Sequence, residues 1–265
     1  MHALLAKFYH LGLRFLFTPL WRPPVAALLA GLILRLLGPG RAGLGACLAV
    51  LCGWLALVLP GNPFHPAGPV ARLPVAAGLL TIFALLRGGG SLPPWLGYPL
   101  FLTVAAWWLG GAPLTGNAVA NLVPLLLGLF AAGTLARRLA ARDDGTATIA
   151  AAVALAASVQ VAGGAAHWSR AALVPACAGL ALFGQAEAVA PLAQAIVLVA
   201  ATTILASNRG RFVPVDLAAA APFLVWLIAP RLLPRLNRAG PVLAAGLAAA
   251  CAVGVLWGAT MLTHR

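Results

Sequence analysis

Long apolar segments separated by short polar breaks dominate the hydrophobic pattern of the chain. Each segment is continuously apolar and rich in Ala and Leu, so the pattern predicts helices rather than alternating strands. Gly and Pro mark the breaks, as at Gly38-Pro39-Gly40. The ten segments lie approximately at residues 25–37, 43–59, 75–86, 95–109, 118–135, 147–165, 171–183, 188–206, 217–229 and 242–262.

The amino-acid composition places these segments in a membrane. Hydrophobic residues make up 63% of the 265 residues and charged residues only 8%, whereas soluble domains carry about 25% charged residues. No polar stretch is long enough to form a separate soluble domain. We therefore predict an all-α fold, a polytopic membrane helix bundle of about nine to ten short transmembrane helices. Residues 25–265 form a single multi-pass membrane domain in this interpretation.

The first 24 residues have a different pattern. Apolar residues from Leu4 to Phe15 share one side of a helical wheel, whereas Lys7 and Arg14 lie together on another side. This arrangement predicts an N-terminal interfacial amphipathic helix at residues 1–24, with its basic stripe toward lipid headgroups. A cleavable signal peptide is not indicated, because no short apolar core ends in a small-residue cleavage site.

The formal net charge of +13 indicates a lipid bilayer as the partner, not nucleic acid. The basic residues lie singly or in small groups between apolar segments, without the dense patch interleaved with aromatics that nucleic-acid binding requires. Basic residues at segment ends suit anionic headgroups. The single lysine and the excess of Ala, Gly, Pro and Arg are typical of a high-GC bacterium.

The distribution of basic residues also predicts the topology. If all ten segments cross, the basic residues divide eight to nine between the two sides. If the first segment, which Arg35 interrupts, does not cross, they divide twelve to five. Because cytoplasmic loops carry the excess of Lys and Arg, the second division predicts nine full spans and a cytoplasmic N-terminus in the cell inner (plasma) membrane.

Side chains with catalytic or ligand chemistry are few. The four cysteines lie inside apolar segments without the spacing of a disulfide framework or a zinc site, which is typical of small packing residues. The histidines lie at segment ends or in loops, which argues against a haem anchor. We expect no cofactor, no metal site and no catalytic residue.

Polar residues inside the segments suggest one candidate site. Gln160 and the pair Thr202 and Thr203 lie roughly 20 Å along two segments that would start on the same side. Glu187 begins the second of these segments and has no basic residue close in sequence. We predict substrate or coupling contacts at Gln160, Thr202 and Thr203, with Glu187 at the cytoplasmic mouth. The structural alternatives are hydrogen bonds between helices and capping of a helix start.

Three functions stay open. A small secondary carrier or exporter of a small or amphipathic solute fits the many short helices, the interior prolines and the small extramembrane mass. A non-catalytic membrane subunit, or an assembly or scaffold factor that binds membrane protein partners in an envelope complex, fits the same lack of catalytic groups. An enzyme acting on lipid-linked substrates has the least support, because no catalytic motif is present.

Overall fold

The fold is helical throughout the part of the chain that the computed structural model describes. The described residues are 21–38, 41–59, 61–64, 66–88, 94–114, 119–120, 122–140, 145–162, 166–207, 218–232 and 254. They form nine α-helices and one 3-10 turn, and no strand occurs among them. The helices are α1 (Arg22–Leu37), α2 (Ala42–Val58), α3 (Leu73–Gly88), α4 (Pro94–Leu109), α5 (Val123–Ala140), α6 (Thr146–Val161), α7 (Ala166–Ala181), α8 (Ala186–Ser207) and α9 (Ala221–Leu232).

The all-α prediction is confirmed for these residues, and each of the nine helices overlaps one of the first nine apolar segments, although α5 and α7 are displaced from the predicted bounds by up to about five residues. The interfacial helix predicted at residues 1–24 lies outside the described residues up to residue 20. The tenth segment, at 242–262, also lies outside them apart from residue 254.

Proline and glycine set several helix boundaries. Pro23 and Pro24 occupy the first turn of α1, where the missing N–H would have no partner and the fixed φ suits a helix. Gly145 precedes α6 with φ of 102°, a left-handed conformation that glycine adopts without steric cost. The helix α6 ends at Val161, before the sequence pair Gly163-Gly164, and not at residue 165 as the apolar pattern suggested.

The first apolar segment is a full member of the bundle. A Cβ built on Gly53 of α2 would lie 2.9 Å from the Ala27 Cβ and 3.0 Å from the Pro23 carbonyl oxygen. A Cβ on Gly31, near the other end of α1, would lie 3.7 Å from Ala49. The helices α1 and α2 are therefore antiparallel along their length. At 16 residues, α1 is as long as α3, α4, α6 and α7.

One end of the bundle, here called the basic end, collects the ends of α1 and α7 and the starts of α2 and α8. The Arg35 guanidinium donates a hydrogen bond to the Ala181 carbonyl at 3.2 Å. A Cβ on Gly43 would lie 3.2 Å from the Glu187 carbonyl oxygen, so the first turns of α2 and α8 are in close contact.

The opposite end, here called the loop end, collects the ends of α2, α4 and α8 and the starts of α3 and α7. The Arg72 guanidinium donates to the Leu109 carbonyl at 2.6 Å, and the Trp108 indole donates to the Arg72 carbonyl at 2.9 Å. These two bonds fix the start of α3 against the end of α4.

The buried positions of the bundle are rich in alanine, whereas many exposed positions carry large apolar side chains. Alanine supplies 28 of the 50 buried apolar residues that the structure describes. Trp54, Trp226 and Phe101 are the largest buried side chains. Among the large exposed side chains, Leu29, Leu32, Ile33 and Leu36 form one stripe along α1. Two of the described helices, over Val123–Ala140 and Ala186–Ala206, are long and apolar enough to cross a membrane.

Candidate functional site

Gln160 lies at the loop end, in the last turn of α6. Its side-chain oxygen accepts a hydrogen bond from the Ser169 hydroxyl at 2.9 Å; Gln160 is exposed and Ser169 is half-buried. Because α6 ends one residue later, Gln160 joins α6 to the start of α7 rather than lying in the middle of a helix.

Thr202 and Thr203 are completely buried in α8. Their hydroxyls donate to carbonyls of their own helix, at 2.8 Å to Val199 and 2.7 Å to Ala200. Bonds of this kind satisfy the hydroxyl locally without a partner from another helix. Among the described residues, no hydrogen bond joins either threonine to Gln160.

Glu187 lies at the basic end as the second residue of α8, with an exposed side chain. Its backbone carbonyl has no helical N–H partner because Pro191, four residues later, has none to donate. Its carboxylate lies in the first turn, where the helix dipole favours negative charge. Thr202 follows 15 residues later, roughly 22 Å along the helix. The structure therefore places the four predicted residues at three separate positions.

A polar cluster that the sequence did not reveal joins α4, α5 and α8 inside the bundle. The Tyr98 hydroxyl donates to Gln194 Oε1 at 3.2 Å, and Gln194 Nε2 donates to the Gly133 carbonyl at 3.0 Å. Gln194 is only 4% exposed. We call these two hydrogen bonds the polar link. Arg137, one turn after Gly133, lies over the Tyr98 ring at 4.4 Å from its centroid.

Gly133 makes the polar link sterically possible. A Cβ at this position would clash with the Tyr98 hydroxyl and would lie 3.0 Å from Gln194 Oε1. One signal in the sequence did point here, because an amide in the middle of an apolar segment needs a hydrogen-bond partner. The partners lie 96 and 61 residues away along the chain, so only the fold identifies them.

An apolar cleft of about 620 Å³ lies between α5, α8 and the approach to α9. Ala132 and Val197 line its deep end, next to the residues of the polar link, and Pro124 and Leu205 line it toward the loop end. Its other walls include Gly128, Leu129, Ala201 and Phe223. The cleft is lined by apolar side chains, and at its deep end it adjoins the polar link.

The interior prolines do not line this cleft. Pro99, Pro175 and Pro191 lie inside helices, and the carbonyl that Pro175 leaves without a helical partner, that of Ala171, accepts a hydrogen bond from the Trp54 indole at 3.0 Å. Pro124, at the second position of α5, does line the cleft.

No group of three or more metal-binding side chains occurs among the residues that the structure describes. Cys47, Cys52 and Cys177 are free thiols. No protein-family model, curated protein or solved structure matches this chain.

Proposed function

We propose that this chain is a multi-pass inner-membrane protein that carries or exports a small apolar or amphipathic solute. The observation that supports this proposal most strongly is the apolar cleft whose deep end adjoins the polar link. Clefts lined mainly by apolar side chains between helices are common small-molecule sites, and the polar link lies next to the lining residues Ala132 and Val197.

The exposed apolar surface supports insertion in a membrane. Soluble monomers rarely expose contiguous apolar patches larger than a few hundred Å², whereas large apolar side chains here cover the outer faces of α1, α3, α4, α5 and α9. The alanine-rich interior supports the same proposal, because membrane helices associate by close packing of small residues.

The basic end is the cytoplasmic end in this proposal. Of the nine arginines among the described residues, six lie at the basic end and three at the loop end; the six are Arg35, Arg41, Arg87, Arg137, Arg138 and Arg231, and the three are Arg22, Arg72 and Arg170. Cytoplasmic loops carry this excess in membrane proteins. Since α1 runs alongside α2, the helix α1 crosses too, and Trp21 lies on the outer side. The twelve-to-five charge division instead favours the cytoplasmic side for the residues that precede α1.

The polar link is the proposed inner gate of the solute path. Hydrogen bonds between membrane helices contribute on average about 0.6 kcal/mol each, so the two bonds of the link hold α4, α5 and α8 together without locking them. Rocking of one helix group against another is the usual route to alternating access in carriers. Breaking the Tyr98–Gln194 bond would separate α4 from α8 below the cleft.

Glu187 remains the proposed coupling group at the cytoplasmic mouth, because it begins α8 without a basic residue close in sequence. Gln160, Thr202 and Thr203 serve this proposal as supporting residues, and the two threonines lie in the same turns of α8 as Ala201 and Ile204, which line the cleft. In a working carrier, Glu187→Gln abolishes coupled transport without loss of folded protein. If Glu187 only stabilises the start of α8, the same substitution should lower the stability of the protein by about 1 kcal/mol and leave transport intact.

Blocking the cleft tests the carrier function. In cells that express the protein, we expect faster efflux of at least one dye from a panel of amphipathic dyes than in cells without it. Ala201→Trp should abolish this efflux because the indole fills the cleft, whereas Ala190→Trp, on an exposed face of α8, should not. Equal efflux by the two variants, or no efflux above background, would reject the carrier.

The cleft also has the form of a groove for a transmembrane helix of a partner, as in a non-catalytic subunit of an envelope complex. A membrane protein that co-purifies in equal amount with the wild type and with Ala190→Trp, but not with Ala201→Trp, would establish that alternative.

A further inference from the structure

A second cavity lies at the loop end and is separate from the polar link. Its volume is about 640 Å³, and it lies between the end of α2, the turn at 61–69, the start of α7 and the end of α8. Val58, His167, Trp168 and Leu205 are among its lining residues. We call it the loop-end pocket.

Positive charge without a described acid neighbour lies beside this pocket. Arg170 does not line the pocket itself, but it is one turn after the lining residue His167 on α7 and close enough for its charge to act on the imidazole. Arg170 is partly buried, and its Nε finds no hydrogen-bond partner among the described residues. The only described carboxylate, Glu187, lies at the basic end. The Arg170 Nε is closed off from water, so an anion would bind at the terminal nitrogens of the guanidinium, which carry the other N–H donors.

The loop-end pocket and the cleft share one lining residue. Leu205, near the end of α8, lines both cavities. Trp168 is partly buried and stacks edge-on against His167, with ring centroids 5.6 Å apart. Indole rings with one apolar and one polar side are typical of the membrane interface. A ligand with a charged head and an apolar chain therefore fits the pair of cavities better than a fully apolar ligand does.

We infer that the loop-end pocket binds the anionic headgroup of an amphiphile through Arg170, with His167 and Trp168 beside the headgroup and the apolar chain directed past Leu205 into the cleft. This inference rests on the proposed function for the role of the cleft, and it names the substrate class as an anionic amphiphile. The charge on Arg170 provides affinity for the head, and the cleft provides affinity for the chain.

Native mass spectrometry of the full-length protein in mild detergent tests the inference, with phosphatidylglycerol and phosphatidylcholine added in equal amounts. We expect the wild type to retain the anionic lipid with a preference of about tenfold, the effect of one charge-assisted hydrogen bond. Arg170→Gln should remove the preference, whereas Arg138→Gln, an exposed arginine at the basic end, should keep it. Val58→Trp, which fills the pocket and leaves the charge in place, should also reduce retention.

Each remaining outcome has a defined meaning. Equal lipid preference in Arg170→Gln and Arg138→Gln, or no preference in the wild type, overturns the inference. Displacement of the lipid by inorganic phosphate alone supports the same anion site with a free anion as its ligand. A lipid preference that depends on Arg170, found together with no dye efflux, leaves this site standing and rejects the carrier.

Discussion

At the scale of single residues, one buried amide organises the centre of the bundle. Gln194 lies in the ninth position of α8, where no water can satisfy its amide, and it uses its oxygen toward Tyr98 and its nitrogen toward Gly133. Since both partners come from other helices, the amide fixes the relative positions of α4, α5 and α8. A polar residue that interrupts an apolar helix therefore determines which neighbouring helices pack against it.

A double-mutant cycle measures the polar link. Tyr98→Phe and Gln194→Leu should each destabilise the protein, and their effects should be non-additive by about 0.6 kcal/mol, the usual size of a hydrogen bond between membrane helices. Reversible unfolding in detergent provides the free energies. Thr103→Val, on the same helix as Tyr98 but bonded only to its own helix, is the control partner and should show no coupling to Gln194→Leu. Additive effects of Tyr98→Phe and Gln194→Leu would mean that the bond does not form.

Two glycines of α5 form a matched pair for a steric test. Gly133→Ala should destabilise the protein by about 1–3 kcal/mol, because its Cβ meets the Tyr98 hydroxyl and Gln194 in a filled space. Gly128→Ala meets no atom within 4 Å and should be neutral or stabilising by up to about 1 kcal/mol, since alanine favours helix. Melting temperatures of the purified variants compare them. A Gly133→Ala variant as stable as Gly128→Ala would contradict the close contact.

At the scale of helices, one proline and one tryptophan act as a pair. Pro175 leaves the Ala171 carbonyl of α7 without its helical N–H, and the fully buried Trp54 of α2 donates its indole N–H to that carbonyl. The proline of one helix thus determines which side chain its neighbour must present.

Restoring the missing N–H tests this pairing. Trp54→Phe should cost about 1–3 kcal/mol beyond its loss of contact area, because it leaves a buried carbonyl unpaired. In a Pro175→Ala background, the alanine N–H can bond to Ala171, so the same Trp54→Phe change should cost less. Unfolding free energies of the four proteins give the difference. An equal cost in both backgrounds would show that the indole bond is energetically unimportant.

The packing of α1 on α2 predicts the side on which Trp21 lies. A cysteine at Trp21, studied without the four native cysteines, should react with an impermeant maleimide from the same side as a cysteine at Asn62, because both residues belong to the loop end. Reaction only after permeabilisation would show that α1 does not cross, as the charge division alone suggests.

The sequence predicted the positions of the helices better than it predicted which polar residues lie together. Continuous apolar runs located nine helices, because each helix buries or exposes apolar groups along its whole length. The start of α7 at Ala166 was missed, since His167, Ser169 and Arg170 look like loop residues until the fold shows them on a helix. Depth along a segment grouped Gln160 with Thr202 and Thr203, but depth carries no information on which face of the helix a side chain occupies.

At the scale of the whole molecule, the central claim is that a bundle with an alanine-rich interior and large apolar residues on its outer faces lies across a membrane. The helix α2 tests this claim within one element, because Arg41 precedes it at the basic end, exposed Cys52 lies in its middle, and Asn62 follows it at the loop end. In a soluble bundle all three positions would be equally open to water. In a membrane they would be cytoplasmic, lipid-facing and external.

The most direct measurement is labelling of three single-cysteine proteins in intact cells and in permeabilised cells with a charged, impermeant maleimide. The three proteins carry Arg41→Cys, the native Cys52 or Asn62→Cys, and each lacks the other native cysteines. We predict that Asn62→Cys reacts in intact cells, that Arg41→Cys reacts only after permeabilisation, and that Cys52 reacts only after denaturation in strong detergent. Labelling of Cys52 as readily as both ends, or labelling of both ends from the same side, would contradict a membrane-spanning α2 and the account built on it.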